Sequence, residues 1–108
     1  MGFQTGGAIV DFVVLAILNK KDEYGYILTQ EVRNILDISE TAMYPVLKRL
    51  QKTGLLDTYD NPANGRNRRF YRITEEGKEN LKLYKKEWQT FKDHVDLLMK
   101  EREDEDLR

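Results

Sequence analysis

The sequence predicts a mainly α fold with one small β-hairpin: three helices, a two-stranded hairpin, then a long helix. Three observations carry that expectation. Apolar residues recur at helical spacing before residue 54 and again after residue 74. The interval between them is rich in aromatic and β-branched residues and holds an Asn-Gly pair. Cysteine is absent, which leaves an ordinary hydrophobic core as the source of stability. At 108 residues the chain has the size of one domain, with one modest core.

The first helix is read from "AIVDFVVLAIL", residues 8–18, apolar on nearly every side. Such a helix must be covered on several faces, by core or by a second chain. Its uninterrupted apolar run, Phe12 to Leu18, is seven residues, against about 20 needed to cross a bilayer. The start "MGFQTGG" lacks the basic residues of a signal peptide. A soluble cytoplasmic protein is therefore expected, with no membrane contact.

"NKKDEYGY" reads as a turn, and Leu28, Val32, Ile35 and Leu36 then mark a second helix from about Tyr24 to Leu36. Ser39 can cap a third helix, "ETAMYPVLKRLQKT", that stops at Gly54. "LLDTY" and "FYRI" read as two short strands joined by a ten-residue tip. Thr74, followed by Glu75 and Glu76, opens the long helix, with acids at the positive end of its dipole. The expected organisation is a head over residues 1–73, the long helix over 74–100 and a disordered acidic tail over 101–108.

The formal charge of −1 conceals an asymmetry. Residues 39–72 hold seven lysines and arginines against three acids, whereas the closing "EREDEDLR" holds five acids and two arginines. The positive charge gathers on the third helix and the hairpin. At 100° per residue, Met43, Val46, Leu47 and Leu50 form one apolar stripe on that helix. Thr41, Pro45, Lys48 and Lys52 lie opposite, with Tyr44 and Arg49 at the flanks. The hairpin tip adds Gly65, Arg66, Arg68 and Arg69.

Three helices and a hairpin are the plan of a winged helix-turn-helix. A helix of this kind enters the DNA major groove, with its cations and those of the hairpin meeting phosphates. The blander reading is a solvated surface kept positive for solubility. It leaves unexplained why the charge collects on two elements that adjoin in a DNA-reading arrangement.

The long helix carries Leu81, Tyr84, Trp88, Phe91, Val95 and Leu98 at alternating spacings of three and four. That is the seam of one helix packed along another, and a second copy of the chain is its expected cover. Phe12 is expected to join the interface. Trp88, the single tryptophan, is a packing residue in the bland reading. In the functional one it walls a site for a flat aromatic ligand, with Phe12, Asp11 and Asp96 as weaker candidates. His94 reads as solvated. No nucleophile–base grouping, phosphate-cradling loop or metal-ligand spacing stands out, so neither an enzyme nor a cofactor is expected.

"YGYILTQEV", "SETAMYPVLKRLQKTGLL" and "GRNRRFYRITEEGKENL" together resemble the PadR family of bacterial transcriptional regulators, in its short subfamily, over about residues 9–92. Met43 stands where the family usually has leucine, a volume-conserving difference. The resemblance implies a homodimeric repressor on an inverted-repeat operator, released in some members by small aromatic or drug-like compounds. It assigns DNA reading to Ser39, Thr41, Tyr44, Pro45 and Lys48 on the third helix. In the wing it assigns Gly65, Arg66, Arg68 and Arg69, with Tyr71 matching as well. A competing expectation is a winged-helix protein-interaction module without sequence preference. Another is a ligand carrier, which leaves the wing arginines without a role.

Overall fold

The computed structural model describes the backbone of residues 6–106 and the side chains of residues 7–100. The elements run α1 (Gly6–Lys20), β1 (Glu23–Tyr24), α2 (Gly25–Arg33), α3 (Glu40–Lys52), β2 (Leu56–Ala63), β3 (Arg66–Ile73) and α4 (Glu75–Asp106). The architecture is the expected mainly helical one with a small antiparallel sheet and a long C-terminal helix.

The core forms where four elements each contribute an apolar face. Val14, Leu15 and Leu18 of α1 meet Leu28 and Val32 of α2, Met43, Leu47 and Leu50 of α3, and Leu56 and Ile73 of the sheet. Three of the four stripe residues on α3 are thus fully buried, and Val46 packs at the edge. The opposite side of α1 is only partly covered. Phe12, Val13, Ala16 and Ile17 line an apolar groove of about 630 Å³, which Ile35 also borders.

Local chemistry sets the element ends. Ser39 sits in extended backbone and accepts a hydrogen bond from the Ala42 amide at 3.2 Å, so it caps α3. Gly54, with φ of 85°, terminates that helix in the left-handed conformation. Thr74 then makes the joint to α4. Its hydroxyl donates to the Gly54 carbonyl at 2.6 Å and accepts from the Gly77 amide at 3.0 Å. Gly77 lies against the Leu55 carbonyl so closely that no side chain fits between them.

The hairpin differs from the expectation. Its strands are eight residues each and its tip is the two-residue turn Asn64-Gly65, with φ of 54° and 76°. Both central residues are left-handed, the type I′ geometry that matches strand twist. Pro62, within the stretch expected as the ten-residue tip, lies in β2. The strand order is β1-β3-β2, so β2 is an edge strand, where a missing amide is tolerated. The strand β1 lies where the sequence predicts a turn. It pairs Glu23 with Tyr71 and Tyr24 with Phe70, and two residues are too few to show a sequence period.

Two helix boundaries also moved. α2 ends at Arg33, three residues early, and α4 continues to Asp106 rather than stopping near Lys100. Most of the stretch expected as a disordered tail is therefore helical in its backbone course. Leu107 and Arg108 lie outside the described residues.

Candidate nucleic-acid interface

The exposed side of α3 presents Ser39, Thr41, Tyr44, Pro45, Lys48 and Lys52 to solvent. The hydroxyls of Ser39 and Thr41 lie 3.3 Å apart at the helix N-terminus. One turn on, the Lys48 ammonium sits 5.7 Å from the centre of the Tyr44 ring. Pro45 is past the first turn, so the Thr41 carbonyl lacks its usual helical amide donor. The only acid on the helix, Glu40, is drawn towards α2 by Gln30 at 3.3 Å and Arg33 at 3.7 Å. What remains on this face is hydroxyl, phenol and cation.

Beside it, Tyr26 and Thr29 from the start of α2 border a hollow of about 320 Å³ with Gly25, Glu40, Tyr44 and Tyr71. Tyr26 is 61% exposed and Tyr44 64%, which makes them a pair of accessible phenols on the same side of the molecule. Sequence reasoning did not single out Tyr26. The available signal was an aromatic residue adjoining the glycine that opens a helix. Tyr71 is half-buried, and burial above all raises its phenol pKa above the ordinary value.

The wing arginines have distinct surroundings. Arg69 faces Asp60 at 3.8 Å and Arg72 faces Asp57 at 3.7 Å, both directly across the strand pair. Arg72 also lies 4.9 Å over the Tyr59 ring. Arg68 instead stands over the ring of Tyr24 at 5.1 Å. Arg66, exposed beside the turn, has no acidic partner among the described residues. Gly65 supplies the turn's second left-handed residue.

Arg49, expected at the flank of the DNA-facing side, turns back into the molecule. Its guanidinium donates to both carboxylate oxygens of Asp11, at 2.7 and 3.0 Å. Asp11 is 6% exposed, so this carboxylate is committed to the protein interior rather than open to a ligand. Asp96 accepts from Lys92 at 3.2 Å on the exposed surface of its own helix. Phe12, by contrast, does reach the seam, its ring 6.0 Å from that of Tyr84.

Along α4, Leu81 and Tyr84 pack at the edge of the core. Beyond them the seam leaves the head. Trp88 is 38% exposed, Phe91 and Val95 39% and Leu98 65%. No helix among the described residues is long and apolar enough to cross a membrane, and no group of three His, Cys, Asp or Glu side chains converges on a metal position among them.

Residues 14–83 match the transcriptional regulator PadR-like family. The structure superposes on a solved protein of Streptococcus mutans UA159 with a TM-score of 0.84, at 36% identity over 88% of this chain and 90% of that one. A PadR family transcription regulator of Clostridium difficile gives a TM-score of 0.76 at 33% identity, covering 83% and 97% respectively. Bacillus subtilis PadR, solved in complex with operator DNA, shares the fold at a TM-score of 0.62 and 21% identity, over 70% of this chain and 46% of its own. The chain therefore belongs to the PadR-like family of transcriptional regulators, winged-helix DNA-binding proteins rather than enzymes.

Proposed function

We propose that this regulator is a homodimeric repressor acting in the cytoplasm on an inverted-repeat operator. The observation that carries the reading is the exposed side of α3, acid-free beyond Glu40 and flanked by the arginine-bearing wing. Thr41 and Tyr44 meet base edges in the major groove, while Lys48, Lys52, Arg66, Arg68 and Arg69 meet phosphates. Ser39, Pro45 and Gly65 shape the backbone at those contacts.

The dimer rests on the seam from Trp88 to Leu98, whose exposure within one chain calls for a second copy. Two copies place two recognition helices about 34 Å apart, one turn of DNA. Footprinting on the duplex upstream of the protein's own gene tests this. The reading requires two protected half-sites with centres about one helical turn apart. A single half-site or uniform protection contradicts it.

Release by an effector is the finer part of the proposal. Trp88, with its counterpart on a second copy and with Phe12 nearby, forms a stacking site for a planar aromatic or drug-like compound. Titration of such compounds against tryptophan fluorescence should give saturable quenching and loss of bound duplex. Flat titrations across a panel would remove the effector from the account.

A further inference from the structure

Tyr24 is a residue of the edge strand β1, far in sequence from the wing and not among the residues assigned to contact DNA. Three contacts converge on it. Its hydroxyl accepts a hydrogen bond from the Asn64 side-chain amide at 3.1 Å, its ring carries the Arg68 guanidinium at 5.1 Å, and Phe70 packs edge-on at 5.5 Å. Asn64 lies in the turn and Arg68 on β3. One ring therefore ties the turn and the strand that follows it to the edge of the sheet.

The charge pattern makes that tie specific. Arg69 and Arg72 stand opposite Asp60 and Asp57, which partly cancel their charge. Arg68 stands opposite Asn61, a neutral residue, and is oriented by the neutral Tyr24 ring together with a hydrogen bond from its Nε to the Ala63 carbonyl at 3.4 Å. A guanidinium held by an aromatic face keeps its full charge and most of its N–H donors for another acceptor. Its side-chain freedom is already restricted before that acceptor arrives, which favours binding. Tyr24 is itself anchored, since β1 pairs with β3 and the neighbouring Asp22 accepts from the Tyr59 hydroxyl at 2.6 Å.

We propose that Tyr24 is the positioning residue of the wing, holding Asn64 and Arg68 in the arrangement that meets the phosphate backbone without touching DNA itself. The inference rests on the DNA-binding reading above. Its test is a double-mutant cycle on duplex affinity, read by fluorescence anisotropy on the upstream duplex over a range of salt, with thermal melting of each variant. Tyr24→Leu should weaken binding about five-fold, as should Arg68→Ala, and Tyr24→Phe, which keeps the ring, about two-fold. In the double variant, Arg68→Ala should add less than two-fold to the loss from Tyr24→Leu. Each single variant should lower the log–log salt slope by up to about 0.9, one phosphate contact.

Full multiplication of the two losses, or an unchanged slope in Tyr24→Leu, overturns the role of Tyr24 while leaving the wing reading intact. Wild-type affinity and slope in Arg68→Ala sinks the wing reading itself. If Tyr24→Leu does not fold, Tyr24→Phe and Asn64→Gly, which keeps the left-handed turn residue, remove the two ends of one hydrogen bond. Their losses should then match and should not add, and additive losses overturn the proposal.

Discussion

Arg49 of α3 and Asp11 of α1 form a two-pronged ion pair, at 2.7 and 3.0 Å. The aspartate side chain is 8% exposed and the arginine 49%. The carboxylate has therefore given up most of its water and depends on the guanidinium for compensation. The hydrogen bond to Asp11, partly opposed by burial, holds the Arg49 pKa above its ordinary value. This pair ties α3 to α1 beside the buried stripe of Met43, Leu47 and Leu50, which sets the side of α3 that faces outward.

Removing Arg49 should cost more than its exposure suggests, because it strands a nearly buried charge. Arg49→Ala is expected to lower stability by about 2–3 kcal/mol, read by urea denaturation. Asp11→Asn leaves the arginine partly solvated and should cost less. The two losses should not add, as the pair is one unit. Additive losses would mean that the two side chains act independently.

Gly77 is required by contact rather than by φ. A Cβ there would overlap the Leu55 carbonyl oxygen and come within 2.7 Å of Ile73 Cγ1. Gly77→Ala should destabilise by about 1–3 kcal/mol through forced displacement of α4 from the wing root. Gly7→Ala, whose Cβ meets open space, should change stability by no more than about 1 kcal/mol and in the stabilising direction. Equal melting temperatures for the two variants would contradict the packing described.

Three tyrosines should titrate late. Tyr59 is raised by its hydrogen bond to Asp22 above all, and Tyr71 and Tyr84 chiefly by burial. Their folded pKa values exceed the unfolded ones, so the stability they contribute is full below about pH 10 and is lost as pH rises through the folded values. Urea midpoints should therefore be insensitive to these groups at neutral pH and fall above about pH 10. Tyrosinate absorbance should include a component above the ordinary tyrosine range, and Tyr59→Phe should shrink it. Absence of any such late component would contradict this.

The exposed seam makes a direct statement about assembly. Phe91→Glu or Val95→Glu places a charge where the account puts a second copy, and sedimentation should report monomer for either variant and dimer for the parent. An unchanged dimer would place the interface elsewhere.

Base reading and phosphate contact should separate by mutation. Arg66→Ala should weaken binding to every duplex alike and reduce the salt slope by about 0.9. Thr41→Val and Tyr44→Ala should instead change the ranking of duplexes that differ at single positions, by about 1–3 kcal/mol per position. A uniform loss from the latter pair would move base reading to other residues, with Tyr26 the first to examine.

Features with local causes were legible in the sequence. Ser39 caps, Gly54 terminates and Thr74 starts a helix through contacts within four residues or by backbone conformation alone. The core stripe of α3 followed from its period. Features that depend on the partner element were not. Residues 60–69 read as a long tip until Pro62 is seen on an edge strand and the charged residues at 60 and 69 are seen opposite one another. Arg49 looked like a surface cation because nothing local reveals Asp11, 38 residues away. Tyr24 was hidden for the same reason, its partners being 40 and more residues downstream.

The central claim is that the outward side of α3 and the wing read a particular duplex. Fluorescence anisotropy with the duplex upstream of the protein's own gene and a scrambled duplex of equal composition, each at low and physiological salt, tests it most directly. The account predicts that both bind at low salt and that only the upstream duplex remains bound at physiological salt. Equal affinities that vanish together as salt rises would contradict it, leaving a positive surface without sequence preference.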